Sequence, residues 1–261
     1  MAKEKNSLNT IYVSERLQEC LRPISHCAMT TVIAPMGYGK TTAVNWYLEK
    51  QMRTEKTVLI RISIYSSNLP VFWKSVQTAF SFAGLDFLNG YECPADTASA
   101  GFLADLFCHQ LAGETAYYIF IDDFHLLTDG RVADFLCLLA NRMTSNVHLI
   151  AASRDRFLSG GAVVRLGRKL HQLSADDLRL NHTELSVYAH RCGTNLSERQ
   201  IDALLHSSEG WFSAVYLNLC AFAKTGELPD NRSDIYQMFS GHDGSAAGKL
   251  SGISGGDGDG R

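Results

Sequence analysis

The chain has 261 residues, enough for one α/β domain plus a smaller appendage around a substantial core. Apolar residues make up 46% and charged residues 20%, with a net charge of −3; that balance excludes wholesale disorder and a surface built to coat nucleic acid. The seven cysteines are odd in number, scattered and never spaced as CxxC, which favours reduced thiols in a cytoplasmic core over a disulfide framework or a zinc site. The first ten residues carry charge without the apolar run of a secretory signal. No segment approaches the roughly 18–20 apolar residues of a membrane helix, so neither export nor a membrane is expected.

In chain order, Ser14 to Leu21 reads as a short helix and Met29 to Ala34 as a strand of continuous apolar and β-branched residues, the pattern of a strand covered on both faces. A glycine-containing loop follows, then a helix from Lys40. Val58 to Ser63 is a second strand. Asn68-Leu69-Pro70 opens a helix with apolar positions at Val71, Phe72, Val76, Ala79 and Phe80, and another helix spans Thr97 to Gln110. Tyr117 to Asp122 is a strand of five apolar residues ending in an acid; Gly130 precedes a helix through Arg142; Val147 to Ser153 is a fourth strand.

Strands alternating with helices imply right-handed crossovers and a mostly parallel sheet flanked by helices. Beyond about Leu170 the pattern turns helical: Ser174–Leu178, Thr183–Arg191, Ser197–His206 and Trp211–Ala223, with Ser174, Thr183 and Ser197 as N-caps. The expected organisation is a sheet domain over 1–168, a helical subdomain over 169–240, and a Gly/Ser/Asp-rich tail over 241–261. With almost nothing to bury, that tail is expected to be disordered. Its composition fits a natural linker or a vector-derived or frameshifted terminus equally well.

Phosphate binding needs backbone N–H groups converging on anionic oxygens, a helix N-terminus, and a mobile cation to reach the outer phosphates. The segment Ala34-Pro35-Met36-Gly37-Tyr38-Gly39-Lys40-Thr41-Thr42, between a strand and a helix, supplies all three. Gly37 and Gly39 permit close backbone approach, Lys40 can extend to the β- and γ-phosphates, Thr41 can offer its hydroxyl to Mg²⁺, and Thr42 is expected to help cap the helix. The strict pattern GxxxxGK[ST] has glycine where this chain has Ala34, the least intrusive substitute.

Mg²⁺ prefers oxygen ligands, and the strand ending at Asp122 delivers a carboxylate to the sheet edge where ligands bind in open α/β sheets. Asp123 reads either as the acid that polarises an attacking water or as a solvated turn residue. Arg154, ending the fourth strand after Ser153, reads either as a sensor of the γ-phosphate or as a surface cation. His125 fits packing as well as chemistry, and no role is assigned to it.

With these residues in order, the chain resembles the nucleotide-binding domain of STAND-class P-loop ATPases, and among them the large LuxR-family transcriptional regulators of the maltose-regulator type. Arg16-Leu17 precedes the first strand, APMGYGKTT follows it, and Trp46 sits in the next helix. Asn68 to Trp73 resembles the family's stretch after strand two, Ile121 to Leu127 its Walker B segment, and Ala151 to Arg154 its sensor. Leu173 with Asp177 to Leu180 resembles the entry to its helical part, and Gly210 to Leu217 its Gly-Trp-Pro-Ala-Ala-Leu motif. The matches cover roughly Tyr12 to Ala223. Phe212 stands where the family usually has a proline that helps hold the adenine and report its state.

The resemblance implies a module that binds ATP or ADP with Mg²⁺, hydrolyses slowly as a weak Mg²⁺-dependent ATPase, and acts as a signal-transduction switch. It also implies self-association in the ATP state. A small-molecule or protein inducer would act through C-terminal domains that have no counterpart here. No basic recognition helix follows Ala223, so specific DNA binding by this chain alone is not expected, and it reads as a fragment or as a regulator truncated after its switch domain. Two alternatives share the P-loop architecture: a motor-like AAA-type ATPase remodelling nucleic acid or protein, and a degenerate scaffold that no longer binds nucleotide.

Overall fold

The apolar runs at 29–33, 116–122 and 147–153 are strands covered on both faces, whereas Val58–Ser63 leaves Arg61 and Ser63 exposed, as the computed structural model, which describes residues 11–53 and 56–228, makes plain. Five strands, β1 (Met29–Ile33), β2 (Thr57–Ser63), β3 (Ala116–Asp122), β4 (Val147–Ser153) and β5 (Leu170–Leu173), form one sheet in the order β2-β3-β4-β1-β5. Every pairing is parallel. Successive side chains of a strand face opposite sides. Ile119 and Ile121 therefore enter one core, whereas Tyr118 and Phe120 enter the other. Ile119, Phe120 and Ile121 are only 2–3% exposed. Burying each such side chain contributes about 1.5–3 kcal/mol, which leaves no room for polar alternation in this strand.

The first core is covered by α3 (Leu69–Phe82), α4 (Thr97–Gln110), α5 (Gly130–Arg142) and α6 (Gly160–Leu166). The second lies under α1 (Glu15–Leu21), α2 (Lys40–Gln51) and α7 (Ala175–Leu178). Asn68 starts α3 by accepting from the Val71 N–H, with proline in the first turn, as the Asn-Leu-Pro sequence predicts.

Two elements are absent from the sequence reading. The strand β5 is Leu-His-Gln-Leu, too short and too polar to register as a buried run. It pairs with β1 and carries Leu173 into the second core, so the sheet continues inside the segment expected to begin the helical part. The helix α6 has only seven residues, started by Ser159 accepting from the Ala162 N–H.

The helical part comprises α8 (His182–Arg191), α9 (Glu198–Ser208) and α10 (Phe212–Thr225), with its own core around Leu185, Tyr188, Leu204 and Leu219. Ser174 and Ser197 cap their helices as expected, each in a capping box, with Asp177 and Gln200. Thr183 does not cap α8. Asn181 does, because it lies three residues before Glu184, the spacing that lets side chain and backbone exchange bonds. The expectation for residues 241–261 lies outside the described residues. Among the described residues no helix is long and apolar enough to cross a membrane, and all seven cysteines are free thiols.

Candidate functional site

At the end of β1 the chain turns through two left-handed glycines, Gly37 (φ 82°) and Gly39 (φ 80°), before α2 begins at Lys40. Gly39 occupies the N-cap position and offers no side chain, so the first-turn N–H groups of α2 have no side-chain cap. An uncapped helix N-terminus with its positive dipole end is the arrangement that takes a phosphate. Thr42, expected to help cap the helix, lies instead within its first turn. Ala34, in the place of the pattern's first glycine, is absent from the residues with left-handed backbone, so its methyl group brings no strain. That methyl group packs in the second core, and the Ala34 N–H donates to Ser153 O at 3.2 Å.

Lys40 is buried, 9% exposed, and its ammonium folds back to donate to Ala34 O (2.6 Å) and Pro35 O (2.9 Å). Burial lowers its pKa; Asp122 and Asp123 oppose that shift, and Arg154 adds to it. Lys40 opens α2 after β1, Asp122 and Asp123 stand at the end of β3, and Arg154 follows β4, so the parallel pairing brings all four to one edge of the sheet. One strand, β4, separates the loop-bearing strand from the acid-bearing one.

Asp122 accepts from the Asp123 N–H through Oδ1 at 3.0 Å. Asp123 itself adopts a left-handed backbone (φ 56°), unusual outside glycine though tolerated by aspartate, and its carboxylate is exposed, 3.8 Å from His125 Nδ1. That His125 nitrogen is buried without a hydrogen-bond partner among the described residues, as is the Ser153 hydroxyl. Arg154 is exposed and leans over the loop, its Nη2 3.8 Å from Met36 Sδ. The residues Pro35, Met36, Tyr38, Thr41 and Thr42 complete the loop and the first turn of α2.

The helical part comes directly onto this loop. Gly210 (φ 71°) accepts from the Leu180 N–H at 2.9 Å, and Trp211 stacks on Tyr38 with centroids 6.2 Å apart. Ser213 donates to Gly37 O from both its hydroxyl (2.8 Å) and its backbone N–H (3.2 Å). Beside this contact lies a cavity of about 250 Å³, bounded by Gly39 and Thr42 on one side and by Tyr12, Tyr188, Phe212 and Tyr216 on the other. Sequence reasoning found Phe212 but missed the three tyrosines. Tyr188 and Tyr216 fall at ordinary core spacing on their helices, and Tyr12 precedes any recognisable element.

No protein-family model matches the chain. In sequence it is 25% identical, over 220 residues, to the HTH-type transcriptional regulator MalT of Yersinia enterocolitica, a match covering 80% of this chain and 23% of MalT. In fold it is similar to a STAND protein with a tetratricopeptide-repeat sensor from Pyrococcus horikoshii, with a TM-score of 0.61 at 16% identity over 91% of this chain and 34% of that one. The chain has the P-loop NTPase fold and is similar in sequence to part of MalT. A Walker-type ATPase of Pyrococcus abyssi shares the fold more distantly, with a TM-score of 0.53 at 10% identity over 92% of this chain and 76% of that one. The chain spans about a quarter of MalT's length, and its five-stranded parallel sheet with a C-terminal helical part is the P-loop NTPase architecture.

Proposed function

We propose that this domain is a nucleotide-operated switch that binds ATP or ADP with Mg²⁺ and hydrolyses ATP slowly, resetting a transcriptional regulator of the MalT kind. One observation carries the proposal: the helical part docks on the phosphate loop through Trp211 and Ser213, and the residue between them, Phe212, walls the cavity beside Gly39 and Thr42. A nucleotide held there would contact both parts of the domain. Its γ-phosphate would then bias how they sit, as a switch requires.

In this reading the loop from Ala34 to Thr42 holds the phosphates. Lys40 exchanges its two carbonyl partners for phosphate oxygens. Mg²⁺, held by the Thr41 hydroxyl and Asp122, would neutralise charge between the outer phosphates. The exposed Asp123 carboxylate orients the attacking water, and Arg154 reports the γ-phosphate. The domain works in the cytoplasm and self-associates in its ATP state. An inducer, small molecule or protein, acts through regions of the regulator beyond this chain, which alone does not bind DNA specifically.

The test is a turnover measurement. The switch reading expects slow Mg²⁺-dependent hydrolysis with tight ADP retention, unaffected by DNA, and at least about a tenfold loss in Asp122→Asn, whose side chain no longer brings an anionic metal ligand. Rapid DNA-stimulated turnover supports a motor instead, and unchanged hydrolysis in Asp122→Asn removes the metal role.

A further inference from the structure

We infer that Ser213 is a positioning residue for the phosphate loop: Gly37 serves as the missing cap of α10, so the loop's geometry and the seating of the helical part form a single equilibrium. The first N–H groups of any α-helix lack intrahelical partners and need an outside acceptor. The N-cap of α10 is Trp211, which has no side-chain acceptor and makes no capping bond. The acceptor comes instead from 176 residues away in sequence, where Gly37 O receives both the Ser213 N–H and the Ser213 hydroxyl. The Trp211 indole closes over the same glycine. A Cβ on Gly37 would lie 2.7 Å from Ser213 Oγ and 2.8 Å from Trp211 Nε1, so the close approach requires glycine. The indole N–H is buried there without an acceptor among the described residues.

A trans peptide is planar, with its C=O and N–H pointing in opposite directions. Fixing the Gly37 carbonyl on Ser213 therefore also fixes the direction of the Tyr38 N–H in the middle of the loop. Phosphate binding, which uses such loop amides, and the capping of α10 then depend on the same peptide plane. Losing the hydroxyl bond loosens that plane; reorienting the plane uncaps α10. This inference rests on the nucleotide reading only for its consequence in binding, since the coupling between loop and helix exists in the protein by itself.

Two measurements on the intact chain test it. The first is hydrogen exchange without ligand, comparing wild type, Ser213→Ala and Ser213→Thr. Ser213→Ala is expected to speed exchange about three- to tenfold, the worth of one hydrogen bond, at the loop amides and at the first turn of α10 together. Ser213→Thr, which keeps the hydroxyl, restores protection. Faster exchange in α10 alone, or none in either segment, overturns the inference. The second is calorimetric titration with Mg²⁺-tripolyphosphate, which lacks a base and a sugar, and with ATP. Ser213→Ala is expected to weaken both by a similar factor, again about three- to tenfold, whereas Phe212→Ala weakens ATP alone. Unchanged tripolyphosphate affinity in Ser213→Ala overturns the positioning role. If the wild type binds neither compound, the nucleotide reading fails, and the exchange experiment still decides the coupling.

Discussion

Gly210 shows how tightly single residues are constrained where the two parts of the chain meet. Its backbone is left-handed, and a Cβ there would fall 2.3 Å from Leu180 O and 3.2 Å from Leu180 N, atoms of a backbone held by the Leu180–Gly210 hydrogen bond. No flexible side chain can yield. Gly210→Ala therefore carries both a left-handed alanine and a backbone clash, and is expected to destabilise the helical part by about 2 kcal/mol or more. Urea unfolding checks it: a lowered midpoint is expected, and a midpoint equal to wild type would mean the close approach is dispensable. The sequence discloses such positions unevenly. The places of Lys40, Asp122 and Arg154, at the start of a helix and at the ends of strands, were legible because the flanking apolar runs mark those ends. Tyr12, Tyr188 and Tyr216 were not, because their cavity joins segments that meet only in the folded chain.

Elements show the same divide between local and distant causes. The four long strands, the helices after the first three of them and the caps Asn68, Ser174 and Ser197 follow from periodicity and local hydrogen bonding. The short β5 has no local signature; only its pairing with β1 makes it a strand. The join between α1 and α8 is likewise a distant contact. Arg16 donates to Glu184 Oε1 at 2.9 Å and to the carbonyls of Asp177 and Arg179 at 3.1 and 2.5 Å, while Glu184 also accepts from the Asn181 N–H. Burial by itself would raise the Glu184 pKa, but hydrogen bonds from Arg16, Ser14 and Asn181, with the Arg16 charge, outweigh it and hold the pKa below the usual carboxylate value. A carboxylate whose pKa is depressed by folding stabilises the fold above its unfolded pKa, about 4.3, and loses that contribution as pH falls through the folded value. Thermal melts at falling pH should therefore show wild type losing stability below about pH 4 by more than Glu184→Gln does, since the variant has no such carboxylate to protonate. Parallel acid profiles for the two proteins would count against the Arg16–Glu184 tether.

At the scale of the whole molecule, a parallel sheet presents its carboxyl edge to a helical part that caps itself on the phosphate loop. The strands that precede Lys40, Asp122 and Arg154 run parallel and end at that edge. What periodicity could not supply was the way the helical part returns to touch Gly37, a contact between residues far apart in sequence that joins two separate cores. The central claim is that this edge binds the triphosphate of ATP through Lys40. Calorimetric titration of Mg²⁺-ATP into wild type and Lys40→Ala tests it most directly, with circular dichroism confirming that both are folded. Saturable binding by wild type and at least a hundredfold loss in the variant, on the order of 3 kcal/mol, is the expected result. Equal affinity in two folded proteins would contradict the assignment of the site.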